Sequence, residues 1–360
     1  MTKRRFVHVF ATFGAGGPQI RAVELLRRMR VERHVVMAMD GRTEAAARLP
    51  AGLSVEIVPP LPRGGFLANV RAAKQWLASQ RPDLVLTYNW GAIESTVAAR
   101  RLGLPLVHHE DGFGPEEVQR RLRRRSWLRR FVLRGVPLIV PSAVLQRIAT
   151  TEWGLASANV HHLPNGVDLA RFRPEAPPLL GTLLGSVGGL RAEKDHANLL
   201  RAVARLEPSV RVALVGGGPL ADELRRLAAE LGLGERVEFA GPVADPASLY
   251  ARFTTFVLSS RTEQMPIAML EAMACGLPVV ATDVGDVRAI LPIEANECIV
   301  PPADPAALAS ALQRVLADAS LRRRLGAANR ARVEQQYEAA ACFERFLRVY
   351  ESSAAARTRA

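Results

Sequence analysis

Residues 261–284, RTEQMPIAMLEAMACGLPVVATDV, read as a loop, a helix and a buried strand. Glu263 stands in the loop behind the apolar run Phe256-Val257-Leu258. Pro266 suits the first turn of a helix, where its missing N–H leaves no bond unmade. Ile267 to Ala274 are good helix formers, and Gly276 supplies the stop. Pro278 then leads into Val279-Val280-Ala281, an apolar run of strand type.

Working outward, the same alternation fills the chain. In the first half the strand candidates are Phe6–Phe10, Val35–Met39, Val55–Val58, Leu84–Thr87, Leu106–His108 and Leu138–Val140. In the second half they are Leu183–Val187, Val210–Val215, Val237–Phe239, Thr255–Leu258, Val279–Ala281 and Cys298–Val300. Strands regularly separated by helical patterns predict parallel sheets. Two such sets predict an α/β protein of two doubly wound, Rossmann-like domains. The Pro-rich segment 172–180 is the natural linker, and one long helix is expected from about Ala327 to Ser352. Ligands of open parallel sheets sit off the carboxyl ends of the strands, which places the expected active site in the interdomain cleft.

The opening stretch also carries chemistry. A helix starting near Pro266 offers free backbone N–H groups and a positive dipole end, which favour an anion such as a diphosphate. Glu263 and Glu271 would repel phosphate but accept hydrogen bonds from hydroxyls. A diphosphate between two polyhydroxylated parts, as in a nucleotide sugar, satisfies both. A surface helix with two solvated glutamates is the other reading of the spacing alone.

Glu263, Glu271 and the run EAMACGLPVVAT resemble the donor-binding signature of retaining GT-B glycosyltransferases, specifically glycosyltransferase family 4. Gly16-Gly17-Pro18, LPNGVDLARFRP at 163–174, VGGLRAEKD at 187–195 and VGGGPL at 215–220 follow the same family order. The resemblance implies an acceptor-binding domain over 1–170, a donor-binding domain over 171–335, and a C-terminal helix, 336–360, that crosses back to the first domain. It implies transfer of a hexose-type sugar from a UDP- or GDP-linked donor to a glycan or lipid-linked acceptor, with no cofactor beyond that co-substrate. Glu263 would hold sugar hydroxyls and Glu271 the ribose. Lys194 and the backbone of Gln264, Met265, Pro266 and Ile267 would stabilise the departing diphosphate.

Gly16 and Gly17 match the glycine loop that closes over the donor, and Gly217 lies in a second glycine run with room for the base. Asn165, before Gly166, can donate and accept near a bound sugar. The family histidine near the reacting carbon falls by register on Asp111 and by side-chain type on His109, and both stay open. The main departure is Gly189, where the family carries an arginine. Arg191, two residues along, is the candidate replacement. Gln264 also stands where a glycine is common. The chain has no Asp-x-Asp pair of the kind that holds a divalent metal on a diphosphate, so a metal-independent reaction is expected.

Composition adds limits. At 360 residues, 49% apolar and 23% charged, the chain suits two soluble domains with full cores. The three cysteines, Cys275, Cys298 and Cys342, are scattered, which argues against a zinc site or disulfide framework and suits a cytoplasmic location. The basic start before Phe6 reads as the edge of a first strand rather than a secretion signal. Net charge is +13, and its densest source is QRRLRRRSWLRRFVLR, residues 119–134. Leu122, Leu128 and Val132 share a helical arc that Arg125 and Arg129 interrupt. Trp127 and Phe131 within such a patch suit an anionic membrane surface, with a peripheral place at the inner face of the plasma membrane. A solvated basic face is the alternative, and no nucleic-acid-binding module accompanies the patch. A nucleotide-sugar epimerase or hydrolase of the same fold, or a non-catalytic binding protein, are the rival functions.

Overall fold

The structure, a computed structural model, describes residues 2–355 apart from 15, 30, 114–116, 118–121, 176–180 and 244, and excludes the side chains of residues 2 and 3. Ala15 of the first glycine loop, residues 119–121 of the arginine-rich stretch, 176–180 of the expected linker and 356–360 of the expected terminal segment therefore lie outside the described residues.

The chain divides into two compact units, Met1–Pro164 with Phe343–Ala360, and Asn165–Cys342. The first unit is built on strands β1 (Thr2–Phe10), β2 (Val31–Ala38), β3 (Val55–Val58), β4 (Leu84–Tyr88), β5 (Leu106–His109), β6 (Leu138–Val140) and β7 (Val160–His162). They form one sheet in the order β3-β2-β1-β4-β5-β6-β7, every neighbour parallel. The second unit uses β8 (Thr182–Val187), β9 (Val210–Val215), β10 (Val237–Gly241), β11 (Thr255–Leu258), β12 (Val279–Thr282) and β13 (Ile299–Val300). Their order is β10-β9-β8-β11-β12-β13, again parallel throughout.

Central strands such as LVLTY in β4 and VVAT in β12 are buried at every residue. Helices cover both faces of a parallel sheet, so its strands read as unbroken apolar runs. The strand order reverses between β1 and β4 in the first sheet and between β8 and β11 in the second. In open parallel sheets the loops leaving such strands diverge, and ligands bind at their carboxyl ends.

Three features differ from the sequence expectation. Strand β7 was not anticipated: Val160-His161-His162 pairs in register with β6 but carries two histidines and no apolar run. The unit boundary falls before Asn165 rather than near 170, because Val167 and Phe172 are already buried in the second unit's core. The long last helix is two, Ala319–Gln336 and Ala339–Ala355. Tyr337 leaves helical geometry, and its carbonyl accepts from Val167 N–H at 2.8 Å. Glu338 then caps the next helix, accepting from Ala340 N–H at 3.0 Å and Ala341 N–H at 2.8 Å.

From Phe343 onward the last helix packs within the first unit. Phe346 stacks on His109 with ring centres 6.1 Å apart, and Arg28 lies over the Phe343 ring at 4.7 Å. The three cysteines are free and buried. Among the described residues, no helix is long and apolar enough to cross a membrane.

Candidate active site

The switch point of the second sheet gathers most of the sequence-predicted residues. Strand β8 delivers the loop Gly188–Asp195, and β11 delivers Ser259–Pro266 beside it. Lys194 Nζ lies 2.5 Å from Glu263 Oε1, and Ser260 Oγ donates to the same oxygen at 2.7 Å. Their side chains are 21% and 11% exposed, so this pair is partly shielded yet reachable. With both donors on Oε1, Oε2 has no partner among the described residues and can accept from a ligand hydroxyl.

The two loops are tied behind that pair. Ser259 Oγ donates to the Lys194 carbonyl at 3.0 Å, and Arg261 N–H to the Glu193 carbonyl at 2.8 Å. Arg261 Nε meets Asp195 Oδ2 at 2.7 Å, and Asp195 itself adopts a left-handed conformation and caps the helix His196–Val203.

Pro266 is the N-cap of the helix Ile267–Ala274 rather than its first turn, one residue before the position expected. The first N–H groups of any helix lack intrahelical acceptors, so this end presents donors and a positive dipole. The helix is held by Met269, Leu270, Ala272 and Met273, all fully buried. Glu271 Oε2 accepts from the Tyr250 hydroxyl at 2.6 Å. Burial, then Glu271, holds that hydroxyl's pKa well above its ordinary value. Asn165 is buried and donates from Nδ2 to the Met265 carbonyl at 3.1 Å, so it positions the 264–267 loop.

Two backbone approaches fix the loops and were not legible in the sequence. Gly285 has φ +54°, and a Cβ there would lie 2.2 Å from the Glu263 carbonyl oxygen. The adjacent Asp286 N–H donates to the Gln264 carbonyl at 3.2 Å. In the glycine run after β9, a Cβ at Gly216, φ +145°, would lie 2.0 Å from the Gly188 oxygen. Leu190 N–H donates to the Gly217 carbonyl at 2.9 Å, which joins this run to the Gly188–Asp195 loop.

Arg191 folds back over Gly189. A Cβ built at Gly189 would lie 3.0 Å from Arg191 Nε, and the guanidinium pairs with Glu193 at 2.9 Å. A guanidinium therefore stands beside the Gly189 backbone, supplied from two residues further along and paired with Glu193.

The first unit forms its own polar cluster at the β1/β4 switch. Gly16 is the N-cap of the helix Gly17–Arg28, and Gln19 Nε2 donates to the Thr12 carbonyl at 3.1 Å. Asn89, at φ +62°, accepts from Asp111 N–H at 2.7 Å. Asp111 pairs with Arg21 at 2.7 Å, both side chains nearly buried. His109 is fully buried, with Nε2 2.9 Å from the Tyr350 hydroxyl and its ring stacked on Tyr88. Burial, with Arg21, holds its imidazole well below the ordinary pKa. His109 is thus packed against Tyr88 and Tyr350, and Asp111 is paired with Arg21. Sequence reasoning missed Arg21, Asn89, Tyr250, Ser260 and Gly285, none of which sits in a recognisable motif.

Comparison with known proteins bears on the fold and the family. Residues 15–171 match Glycosyltransferase Family 4, and residues 181–318 match Glycosyl transferases group 1. The D-inositol 3-phosphate glycosyltransferase of Frankia alni is 30% identical over 369 residues, covering 88% of this chain and 89% of that one. Anabaena HepE, solved in complex with UDP-glucose, superposes with a TM-score of 0.84 at 20% identity, over 97% of this chain and 100% of that one. Sucrose-phosphate synthase from Thermosynechococcus elongatus gives 0.80 at 24% identity, over 98% and 100%. At those identities the two structures speak for the fold alone: two parallel-sheet, Rossmann-like domains of GT-B type. The sequence relationship goes further, and the chain belongs to the family 4, group 1 glycosyltransferases.

Proposed function

We infer that this glycosyltransferase takes a hexose-type sugar from a UDP- or GDP-linked donor and passes it to a glycan or lipid-linked acceptor, with retention at the anomeric carbon. The observation that carries the donor assignment is the Lys194–Glu263–Ser260 cluster at the β8/β11 switch, beside the start of the helix that bears Glu271. Charges of both signs serve different parts of one ligand. The ammonium and the helix N-terminus stabilise a departing diphosphate, and fixed donors of this kind act without reorganisation as charge develops. Glu263 accepts from sugar hydroxyls, and Glu271, oriented by Tyr250, from the ribose.

Arg191 supplies the second cation on the diphosphate, so the leaving group is neutralised by side chains and the reaction proceeds without a metal. HepE, of the same fold, has been solved with UDP-glucose, which supports a nucleotide-sugar donor. A membrane-proximal acceptor would also give the arginine-rich helix of the first unit a partner.

The test is product analysis. Purified enzyme is incubated with UDP- and GDP-hexoses and a panel of lipid-linked and free glycan acceptors, in chelator and with added magnesium. The new linkage is then read by proton NMR. An acceptor-dependent product keeping the donor's anomeric configuration, formed equally in chelator, is expected. Donor turnover that ignores acceptor would favour a hydrolase or epimerase, and an inverted anomer would overturn the retention assignment.

A further inference from the structure

The helix Arg123–Val132 turns two chemically different faces to its surroundings. At about 100° per residue, Arg125, Leu128, Arg129 and Val132 fall on one side. Arg129 is fully buried there, 2.9 Å from Glu110 and 3.3 Å from Glu117. Its guanidinium lies 4.9 Å, 5.0 Å and 5.5 Å from the Trp90, Trp153 and Phe113 ring centres. Arg125 joins the same cluster, 3.2 Å from Glu117. The two arginines that break the apolar arc are therefore the ones turned inward, paired with buried glutamates.

The outward side is uniform. Arg123, Arg124, Trp127, Arg130 and Phe131 share it and are exposed, followed by exposed Arg134. Trp127 is 68% and Phe131 51% exposed, and their rings pack against each other at 4.5 Å. Among the described residues, Arg123, Arg124, Arg130 and Arg134 have no acidic partner. Beside Phe131 a groove of about 570 Å³ is lined by Arg130, Arg134, Thr150, Gly154, Leu155 and Asn159.

We propose that this face docks on an anionic lipid bilayer, with Trp127 and Phe131 entering the interface and Arg130 and Arg134 taking a headgroup phosphate into the groove. Charge selects the partner: four unneutralised guanidiniums need an anionic surface, and an exposed aromatic pair among them favours one with an apolar interior. Tryptophan suits that boundary because its ring is apolar while its N–H stays hydrated. The buried Arg129 fixes the helix orientation, so the face is preformed. This inference is independent of the transfer reaction, since its readout needs neither donor nor acceptor.

The test uses the full chain with phosphatidylcholine vesicles, with and without phosphatidylglycerol, at low and high salt. Wild type is expected to sediment only with the anionic vesicles and to be released by salt. The quadruple variant Arg123→Ser/Arg124→Ser/Arg130→Ser/Arg134→Ser should partition about 600-fold weaker, at about fivefold per guanidinium. Brominated lipid should quench wild-type tryptophan emission, and Trp127→Ser should abolish that quenching. All substituted residues are exposed, so circular dichroism should show every variant folded. Equal sedimentation of wild type and quadruple variant overturns the proposal, as does absence of quenching. Binding to single-stranded oligonucleotide without binding to vesicles would assign the face to nucleic acid instead.

Discussion

Lys194 and Glu263, 69 residues apart in the chain, meet at 2.5 Å where β8 and β11 release their loops. The contact joins the Gly188–Asp195 loop to the Ser259–Pro266 loop. Its value is positional. The pair sets a cation and an acceptor oxygen at fixed places beside a helix N-terminus.

Lys194→Ala should therefore leave the thermal midpoint nearly unchanged while lowering kcat by about 10²–10³-fold, the cost of removing one preorganised transition-state donor. Lys194→Arg should recover part of the loss. Steady-state kinetics alongside a thermal melt separates the two effects, and a loss confined to KM would place Lys194 in ground-state binding only.

Gly285→Ala should damage the same site from behind. The added Cβ collides with the Glu263 carbonyl, and the backbone is already at φ +54°. A non-glycine residue held in such a region costs about 1–3 kcal/mol. Displacement of the 263–266 loop adds a loss of donor affinity. Urea denaturation and donor titration of one variant preparation would show both, and an unchanged affinity would mean that the loop does not depend on Gly285.

Much of this was legible in the sequence, for physical reasons. Central parallel strands must be apolar on both faces, so the unbroken runs revealed them, whereas Val160-His161-His162 gave no such signal. The break at Tyr337 depends on hydrogen bonds to Val167, which no local pattern records. Glu263, Glu271 and Lys194 stand in spaced motifs, but their partners Ser260 and Tyr250 do not. The arginine-rich helix looked ragged on a helical wheel because the carboxylates that bury Arg129 lie outside it, at Glu110 and Glu117.

Arg129→Ala should be among the most destabilising substitutions in the first unit. It leaves Glu110 and Glu117 buried beside a void lined by Trp90, Phe113 and Trp153. Removing one partner of a buried ion pair costs about 3–5 kcal/mol. Chemical denaturation should register that loss, while donor binding by the second unit, at low denaturant, persists.

Acid should destabilise the protein earlier than carboxylate titration alone would. Burial lowers His34 and His196 to about 4 and His108 to about 3, and holds His8 and His109 well below the ordinary value. The unfolded chain takes up these protons near pH 6.5 and the folded chain does not, so stability is fully present above about 6.5 and falls as pH drops toward 4. Burial raises Glu110 to about 7, against the pull of Arg129, which works in the opposite direction for a single group between about 4.5 and 7. Urea midpoints measured between pH 8 and pH 5 should decline below 6.5, and a flat profile down to 5 would contradict the imidazole account.

The most direct measurement is calorimetric titration of wild type and Glu271→Ala with UDP, GDP and their hexose conjugates, with a thermal melt of each complex. A ligand that binds only the folded state raises its melting temperature by mass action. One nucleotide should bind and stabilise the wild type, and Glu271→Ala should bind it at least about tenfold more weakly, the effect of losing a hydrogen bond to a charged group. Equal binding by the variant would contradict the role given to Glu271, and binding of neither nucleotide to wild type would contradict the donor site itself.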